Sequence, residues 1–285
     1  MAIRIIEGYG AIHIIQGDNI MKKIMMIALS VITVSAMLAG CSGKTASGSD
    51  RKTFTVGFDA EFPPYGYMDD KGEYVGFDLD LAQEVCNRKG WELKKQPIDW
   101  DAKDMELSSG AIDCIWNGFT IQGREDAYTW TIPYVDNSQV FVVKTDSGIK
   151  APADLSGKKV GVQKDSSALA ALEGDSKELA DTFNELVQYA DYNTGFMDLE
   201  AGAIDAIAID IGVASYQIAQ KGDGYVILDE QLASEQYGVG FLKGNTELKD
   251  EVETVLKEMA DDGTILKIAK EYSDFGMEES ICIGK

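Results

Sequence analysis

One stretch of this chain occurs twice. Met105-Glu106-Leu107-Ser108-Ser109-Gly110-Ala111-Ile112-Asp113-Cys114-Ile115-Trp116 aligns with Met197-Asp198-Leu199-Glu200-Ala201-Gly202-Ala203-Ile204-Asp205-Ala206-Ile207-Ala208 at an offset of 92, with seven identities in twelve positions. In both copies a helical stretch reaches a glycine and an apolar strand follows. Glycine closes helices because it adopts the left-handed conformation without a Cβ penalty. A second pair, Thr55-Val56-Gly57-Phe58 and Lys159-Val160-Gly161-Val162, repeats in the same order 104 residues apart. Recurrence of a helix–glycine–strand unit implies two similar α/β lobes. In open α/β sheets ligands bind beyond the carboxyl ends of strands, so two facing lobes place a small-molecule site in the cleft between them.

The wider pattern agrees with α/β architecture and mostly parallel sheets. Thr53 to Phe58, Asp113 to Trp116, Gln139 to Lys144 and Lys159 to Gln163 read as strands. Phe77 to Arg88, Ala168 to Leu172, Ser176 to Glu185, Thr246 to Asp261 and Thr264 to Tyr272 read as helices. With 45% apolar residues, the 285-residue chain can bury a sizeable core. Its formal net charge of −22 repels phosphate backbones and anionic lipid head groups, which argues against nucleic-acid partners and charge-driven membrane binding.

The N-terminal region reads as a targeting segment. Met21-Lys22-Lys23 precedes an apolar run, Ile24 to Ala36, too short to span a bilayer and suited to a signal peptide. Leu38-Ala39-Gly40-Cys41 resembles a bacterial lipobox, in which Cys41 is lipidated and becomes the mature N-terminus. Residues 1–20 then read as an over-extended start, 21–40 as a lipoprotein signal peptide and 41–52 as a Gly/Ser-rich tether. His13, the only histidine, falls in the segment expected to be removed. That excludes a Ser-His-Asp triad, a Cys-His pair and an HExxH zinc site. Cys86, Cys114 and Cys282 have spacings of 28 and 168, which match no metal signature. Cys86 and Cys114 read as small buried hydrophobes. Neither a metal nor a cofactor is expected.

Acidic and aromatic residues follow the first strand, in Asp59-Ala60-Glu61-Phe62-Pro63-Pro64-Tyr65. Gly76-Phe77-Asp78 starts a helix, Asn117-Gly118-Phe119-Thr120-Ile121-Gln122-Gly123-Arg124 follows the apolar strand ending at Trp116, and Gln163-Lys164-Asp165-Ser166-Ser167 leads into another helix. Together with Ala153-Asp154-Leu155-Ser156-Gly157-Lys158-Lys159-Val160-Gly161-Val162-Gln163 and Gln236-Tyr237-Gly238-Val239-Gly240-Phe241, these motifs resemble the polar amino acid solute-binding proteins of ABC importers, the glutamine-binding and lysine/arginine/ornithine-binding group. The resemblance covers Thr53 to Tyr272. It implies a two-lobed, periplasmic-binding-protein-like II fold (Venus flytrap), with crossings at 134–138 and 233–237. Residues 53–134 plus 238–285 then form lobe 1 and 138–232 lobe 2. Paired hinges of this kind permit closure around a ligand by rigid-body rotation.

The resemblance also implies site residues. Arg124 would clamp a ligand carboxylate bidentately, a task for a planar guanidinium. Thr120 would add a hydroxyl, and Ser166 and Ser167 backbone N–H groups at a helix start. Asp210 would take the ammonium, helped by backbone groups of Asn117 and Gly118. Phe62 and Trp100 would sandwich the ligand side chain, with Asp59 and Asp78 beside it. Taken alone, Arg124 reads as a solvated charge in an Arg-Glu-Asp run. Asp78, Asp210, Ser166 and Ser167 read equally as helix caps, and the aromatics as core. The acidic residues tilt the expected ligand toward arginine, lysine or ornithine, whereas the Asn117 amide also suits glutamine or cystine. The expected activity is that of an extracytoplasmic, lipid-anchored receptor that delivers a free amino acid to an ABC permease. The alternative is an enzyme on the same fold, such as a small-acid dehydratase with Asp59 and Asp210 as acid and base. A kinase-linked sensor is a third class, but it needs a transmembrane helix and C-terminal module not seen here.

Overall fold

The computed structural model describes residues 53–284. The expected over-extended start, signal peptide, Cys41 lipidation site and tether lie outside the described residues. The first strand, β1 (Thr53–Phe58), carries alternate buried side chains and is followed by a three-stranded ribbon of β2 (Glu61–Phe62), β3 (Gly66–Met68) and β4 (Tyr74–Val75). Helix α1 (Phe77–Lys89) then buries Phe77, Leu81, Val85 and Cys86 and stops at Gly90 in the left-handed region. Strand β5 (Glu92–Pro97), helix α2 (Lys103–Ser109), β6 (Cys114–Ile115) and β7 (Tyr128–Trp130) complete this part of the chain.

Strand β8 (Val135–Lys144) is ten residues long and leads into the second sheet. There follow β9 (Lys159–Gln163), α3 (Ser167–Glu173), α4 (Lys177–Ala180) and β10 (Glu185–Tyr189). Helix α5 (Tyr192–Ala201), β11 (Ala206–Asp210), α6 (Ile211–Lys221) and β12 (Tyr225–Ile227) come next. The return runs through β13 (Ala233–Tyr237) to β14 (Gly240–Leu242) and the closing helices α7 (Thr246–Asp261), α8 (Thr264–Lys270) and α9 (Met277–Ser280).

Two larger sheets result, one ordered β5-β1-β6-β14-β7 and the other β10-β9-β11-β8-β12, with β13 also paired to β8. The β1–β5, β1–β6, β9–β10 and β9–β11 pairs are parallel, as the alternation of strand and helix requires. Residues near 240 return to the first sheet beside residues near 115, so that body is built from two separated stretches of chain.

The sequence repeat is a repeat of contacts. Ile112 and Ile204 occupy equivalent places, and their Cδ1 atoms lie 2.4 and 2.7 Å from where a Cβ would stand on Gly57 and Gly161. Only glycine lets the isoleucine lie flat on the strand. Asp113 accepts from the Thr55 N–H at 2.7 Å, and Asp205 accepts from the Lys159 N–H at 2.9 Å. Each aspartate thereby satisfies a backbone donor near the start of a central strand.

Some segments bear on the expectations directly. The helix expected over Ser176 to Glu185 is one turn, Lys177–Ala180, and the chain straightens at Glu185 into β10, whose edge position leaves Glu185 and Gln188 exposed. The segments where the crossings were expected, 134–138 and 233–237, are strand: β8 begins at Val135 and pairs with β13. Of the closing segment expected in lobe 1, α7 and α8 pack on α1, whereas the following Ser273–Phe275 turn lies on α6, where the Phe275 ring is 4.8 Å from that of Tyr216. Cys86 and Cys114 are buried, and burial pushes the Cys86 thiol up to about 12.

Candidate functional site

The site is built on paired strands. In the β8–β13 ladder Asn137 stands opposite Glu235 and Gln139 opposite Ala233, while in β8–β11 Gln139 stands opposite Asp210. Residues two apart on a strand share a face, and directly opposed residues share it across the ladder. Asn137, Gln139, Asp210, Glu235 and Tyr237 therefore converge on one side of the sheet, and all are buried. Asp210 Oδ1 accepts from Asn137 Nδ2 at 2.9 Å, from Gln139 Nε2 at 2.8 Å and from the Tyr237 hydroxyl. Burial, and next the charge of Glu235, raises the proton affinity of Asp210.

Arg124 comes from the loop after β6. The isolated pairing of Thr120 with Tyr237 fixes the near end of that loop, and the Trp130 indole N–H holds the Arg124 carbonyl at 3.1 Å. The Arg124 guanidinium lies over the Phe119 ring and donates to the Asp165 carbonyl, on the other sheet's side of the cleft, at 3.0 Å. Asp165 adopts a left-handed conformation (φ 52°) immediately before α3, which aims that carbonyl outward and lets its carboxylate pair with the buried Lys103. Ser166 caps α3 by accepting from Leu169 N–H, so its hydroxyl is committed locally. Thr120 Oγ1 lies 3.2 Å from Ser167 Oγ, and Gln163 Nε2 donates across the cleft to Asp59 Oδ2 at 2.7 Å.

A small cavity between the two sheets is lined by Phe62, Trp100, Gly118, Thr120, Arg124, Gln163, Ser166, Ser167 and Asp210. Eight of the eleven residues singled out in the sequence are thus brought together.

Three residues stand elsewhere. Asp78 is fully buried beneath the site, accepting from the Gly118 N–H at 2.6 Å and the Tyr134 hydroxyl at 2.8 Å. Burial pushes its carboxyl up to about 7. Asp78 is therefore a brace for the left-handed Gly118 (φ 53°) rather than a wall of the cavity. Asn117 points away, its Oδ1 accepting from the Asp59 N–H at 3.0 Å. Asp59 faces a neighbouring pocket that also contains Glu61, Asp99, Trp100, Asp101 and Asp191, and burial raises its carboxyl to about 6. Gln163, Asn137, Gln139 and Glu235 were not singled out in the sequence. The alternation of Ala233, Glu235 and Tyr237 with Ser234 and Gln236 was the available signal, and it is ambiguous because polar residues occur in both registers.

Comparison with known proteins decides the family. Residues 54–276 match the bacterial extracellular solute-binding proteins, family 3. The chain belongs to that family. It is 30% identical over 261 residues to the L-cystine-binding protein TcyJ of Escherichia coli, covering 86% of this chain and 94% of that protein. It is 28% identical over 261 residues to the arginine-binding extracellular protein ArtP of Bacillus subtilis, covering 88% and 98%. Among solved structures, an ABC uptake transporter substrate-binding protein from Streptococcus pneumoniae with bound histidine superposes with a TM-score of 0.76 at 34% identity, covering 79% of this chain and 94% of that one. The two-lobed fold expected from the motifs is the fold of these relatives. The family is one of solute-binding proteins, and the dehydratase alternative has no support in it. No helix among the described residues is long and apolar enough to cross a membrane.

Proposed function

We propose that this family 3 solute-binding protein captures a free amino acid with a polar or cationic side chain in the cavity between its lobes and delivers it to an ABC permease. The observation that carries the reading is that Arg124, from the loop after β6, and Asp210, from the end of β11, line one small cavity. A zwitterion entering a dry cleft needs both its charges matched, or the cost of desolvation outweighs the attraction. Arg124 takes the carboxylate with the backbone N–H groups of Ser166 and Ser167, and Asp210 takes the ammonium. Phe62 and Trp100 flank the side chain.

The side chain would extend past Trp100 into the neighbouring pocket, where Asp59, Glu61, Asp99, Asp101, Glu106 and Asp191 supply carboxylates and no lysine or arginine joins the lining. That charge favours a ligand with a distal cation, such as arginine, lysine or ornithine, or the second ammonium of cystine. Relatives named for cystine and arginine binding support this class. Lipid anchoring through Cys41, after removal of a signal peptide, would hold the receptor at the outer face of the cell membrane.

Calorimetric titration of a ligand-stripped sample with arginine, lysine, ornithine, histidine, glutamine and cystine tests the proposal. About 10 non-hydrogen atoms at about 0.8 kcal/mol each give a dissociation constant near micromolar or tighter. Arg124→Ala is expected to weaken that binding by about 100-fold or more, since it strands a desolvated carboxylate. Failure of every amino acid to bind a well-folded sample refutes the reading.

A further inference from the structure

Glu235 lies on the crossing strand and touches both sides of the cleft. Its Oε1 accepts from Asn137 Nδ2 at 2.7 Å, from Gln139 Nε2 at 2.8 Å and from Thr120 Oγ1 at 2.9 Å, and lies 3.3 Å from the Ser167 hydroxyl. Thr120 belongs to the loop after β6, and Ser167 opens α3. Asn137 and Gln139 are the same amides that serve Asp210, so two amide nitrogens each bridge the two carboxylates. Among the described residues, neither carboxylate has a salt-bridge partner. Arg124 donates to the carbonyls of Thr120 and Asp165, and Lys103 pairs with Asp165.

A hydroxyl has one hydrogen to give. When Thr120 and Ser167 give theirs to Glu235, Thr120 Oγ1 keeps two lone pairs and Ser167 Oγ, which already accepts from Gln139 Nε2 at 2.9 Å, keeps one, for the cavity they line beside Asp210. Such oxygens accept from an ammonium and have nothing to donate to a carboxylate. We propose that Glu235 is a positioning residue for the ligand's ammonium: by holding the hydroxyl hydrogens of Thr120 and Ser167 and sharing two amides with Asp210, it turns three acceptor oxygens toward the same small cavity. An ammonium has three hydrogens, which matches that number. The carboxylate is left to Arg124 and the backbone N–H groups before α3, so Thr120 serves the opposite end of the ligand from the one its motif implies. The inference rests on the amino-acid reading of the cleft.

The pair also couples binding to protons. Tyr237 bonds Asp210 directly, Tyr65 and Tyr192 surround the pair as neutral phenols, and Asp59 and Asp78 lie farther off. Glu235's charge contributes to the raised proton affinity of Asp210. An arriving ammonium displaces that proton, so affinity rises with pH through the Asp210 titration.

The test is titration of the intact protein with L-arginine, L-histidine, L-cystine and L-glutamine, followed from pH 5 to 8 with whichever binds most tightly. Binding at pH 6 is expected to release protons, seen as different heats in two buffers of different ionisation enthalpy. Glu235→Gln removes the charge and points an amide N–H at one hydroxyl. It is expected to weaken binding about tenfold or more at pH 7.5 and to move the acid limb of the pH profile to lower pH. A purely structural role would leave that limb where it is. An unchanged dissociation constant with an unmoved limb overturns the inference while leaving the amino-acid reading intact. If Glu235→Gln does not fold, Thr120→Val removes one acceptor instead. Binding equal to wild type in that variant, with no proton release by the wild type, also overturns it. Wild-type protein that binds none of the four refutes the reading and the inference together.

Discussion

At the scale of single residues, Asp78 and Asp210 illustrate how one side-chain type serves opposite ends. Both are buried, and burial raises the proton affinity of both. Asp210 reaches the cavity, while Asp78 stays behind it with one oxygen on Gly118 N–H and the other on the Tyr134 hydroxyl. Asp78→Ala would leave both donors buried without a partner, at about 1–3 kcal/mol each. Chemical denaturation is therefore expected to show a loss of several kcal/mol, while protein that remains folded binds ligand only modestly more weakly. A large loss of affinity at unchanged stability would return Asp78 to the cavity wall. The sequence could not separate these roles, because an acid after Gly76 and Phe77 reads the same whether it caps, braces or binds. Arg124 and Asp210 were legible through the resemblance of their motifs, since taken alone the one reads as a solvated charge and the other as a helix cap; Asp210 closes β11, at a strand end where α/β sheets expose ligand-facing groups. Glu235 was not, because an acid on a strand with polar neighbours on both faces carries no period that marks it as buried.

At the scale of elements, the repeat predicted more than strand positions. It located a glycine on each central strand, an isoleucine pressed on it and an aspartate tied to an N–H near the strand's start. Gly161→Ala would drive a methyl group into Ile204 Cδ1, and to within 2.9 Å of the Tyr189 ring, and is expected to cost about 1–3 kcal/mol. Ile204→Val deletes that carbon, so the double variant should be more stable than the sum of the two single losses. Urea unfolding of the four proteins measures the coupling, and simple additivity would show that the contact is not the source of the cost. Strand β10 escaped the sequence reading because Ser176 to Glu185 is rich in residues that favour helices, and pairing with β9 overrides that local preference from Glu185 onward.

At the scale of the whole molecule, buried acids dominate the pH response. Asp59 and Asp78 titrate at about 6 and about 7, and Asp210 is also raised. The folded chain thus binds more protons than the unfolded chain from about pH 4 to about pH 7, and stability falls as pH rises through that window. The formal charge of −22 adds self-repulsion in the same direction. Thermal melts without added amino acid are expected to give a higher Tm at pH 5 than at pH 8, by on the order of a few kcal/mol of stability. A higher Tm at pH 8 would mean that these acids are ionised and compensated in the folded chain. Ligand affinity should run the other way, because an ammonium needs the ionised carboxylate. The receptor is then expected to gain most from its ligand under mildly alkaline conditions, where the fold alone is weakest.

The ladder joining Val135–Gln139 to Ala233–Tyr237 brings the exit and re-entry of the second body side by side over five residue pairs. That body is in effect a pendant module hung from a clasp. A clasp of this kind lets whatever hangs from it be exchanged for a module of different selectivity, provided the graft preserves the Asn137 and Glu235 pairing that closes it.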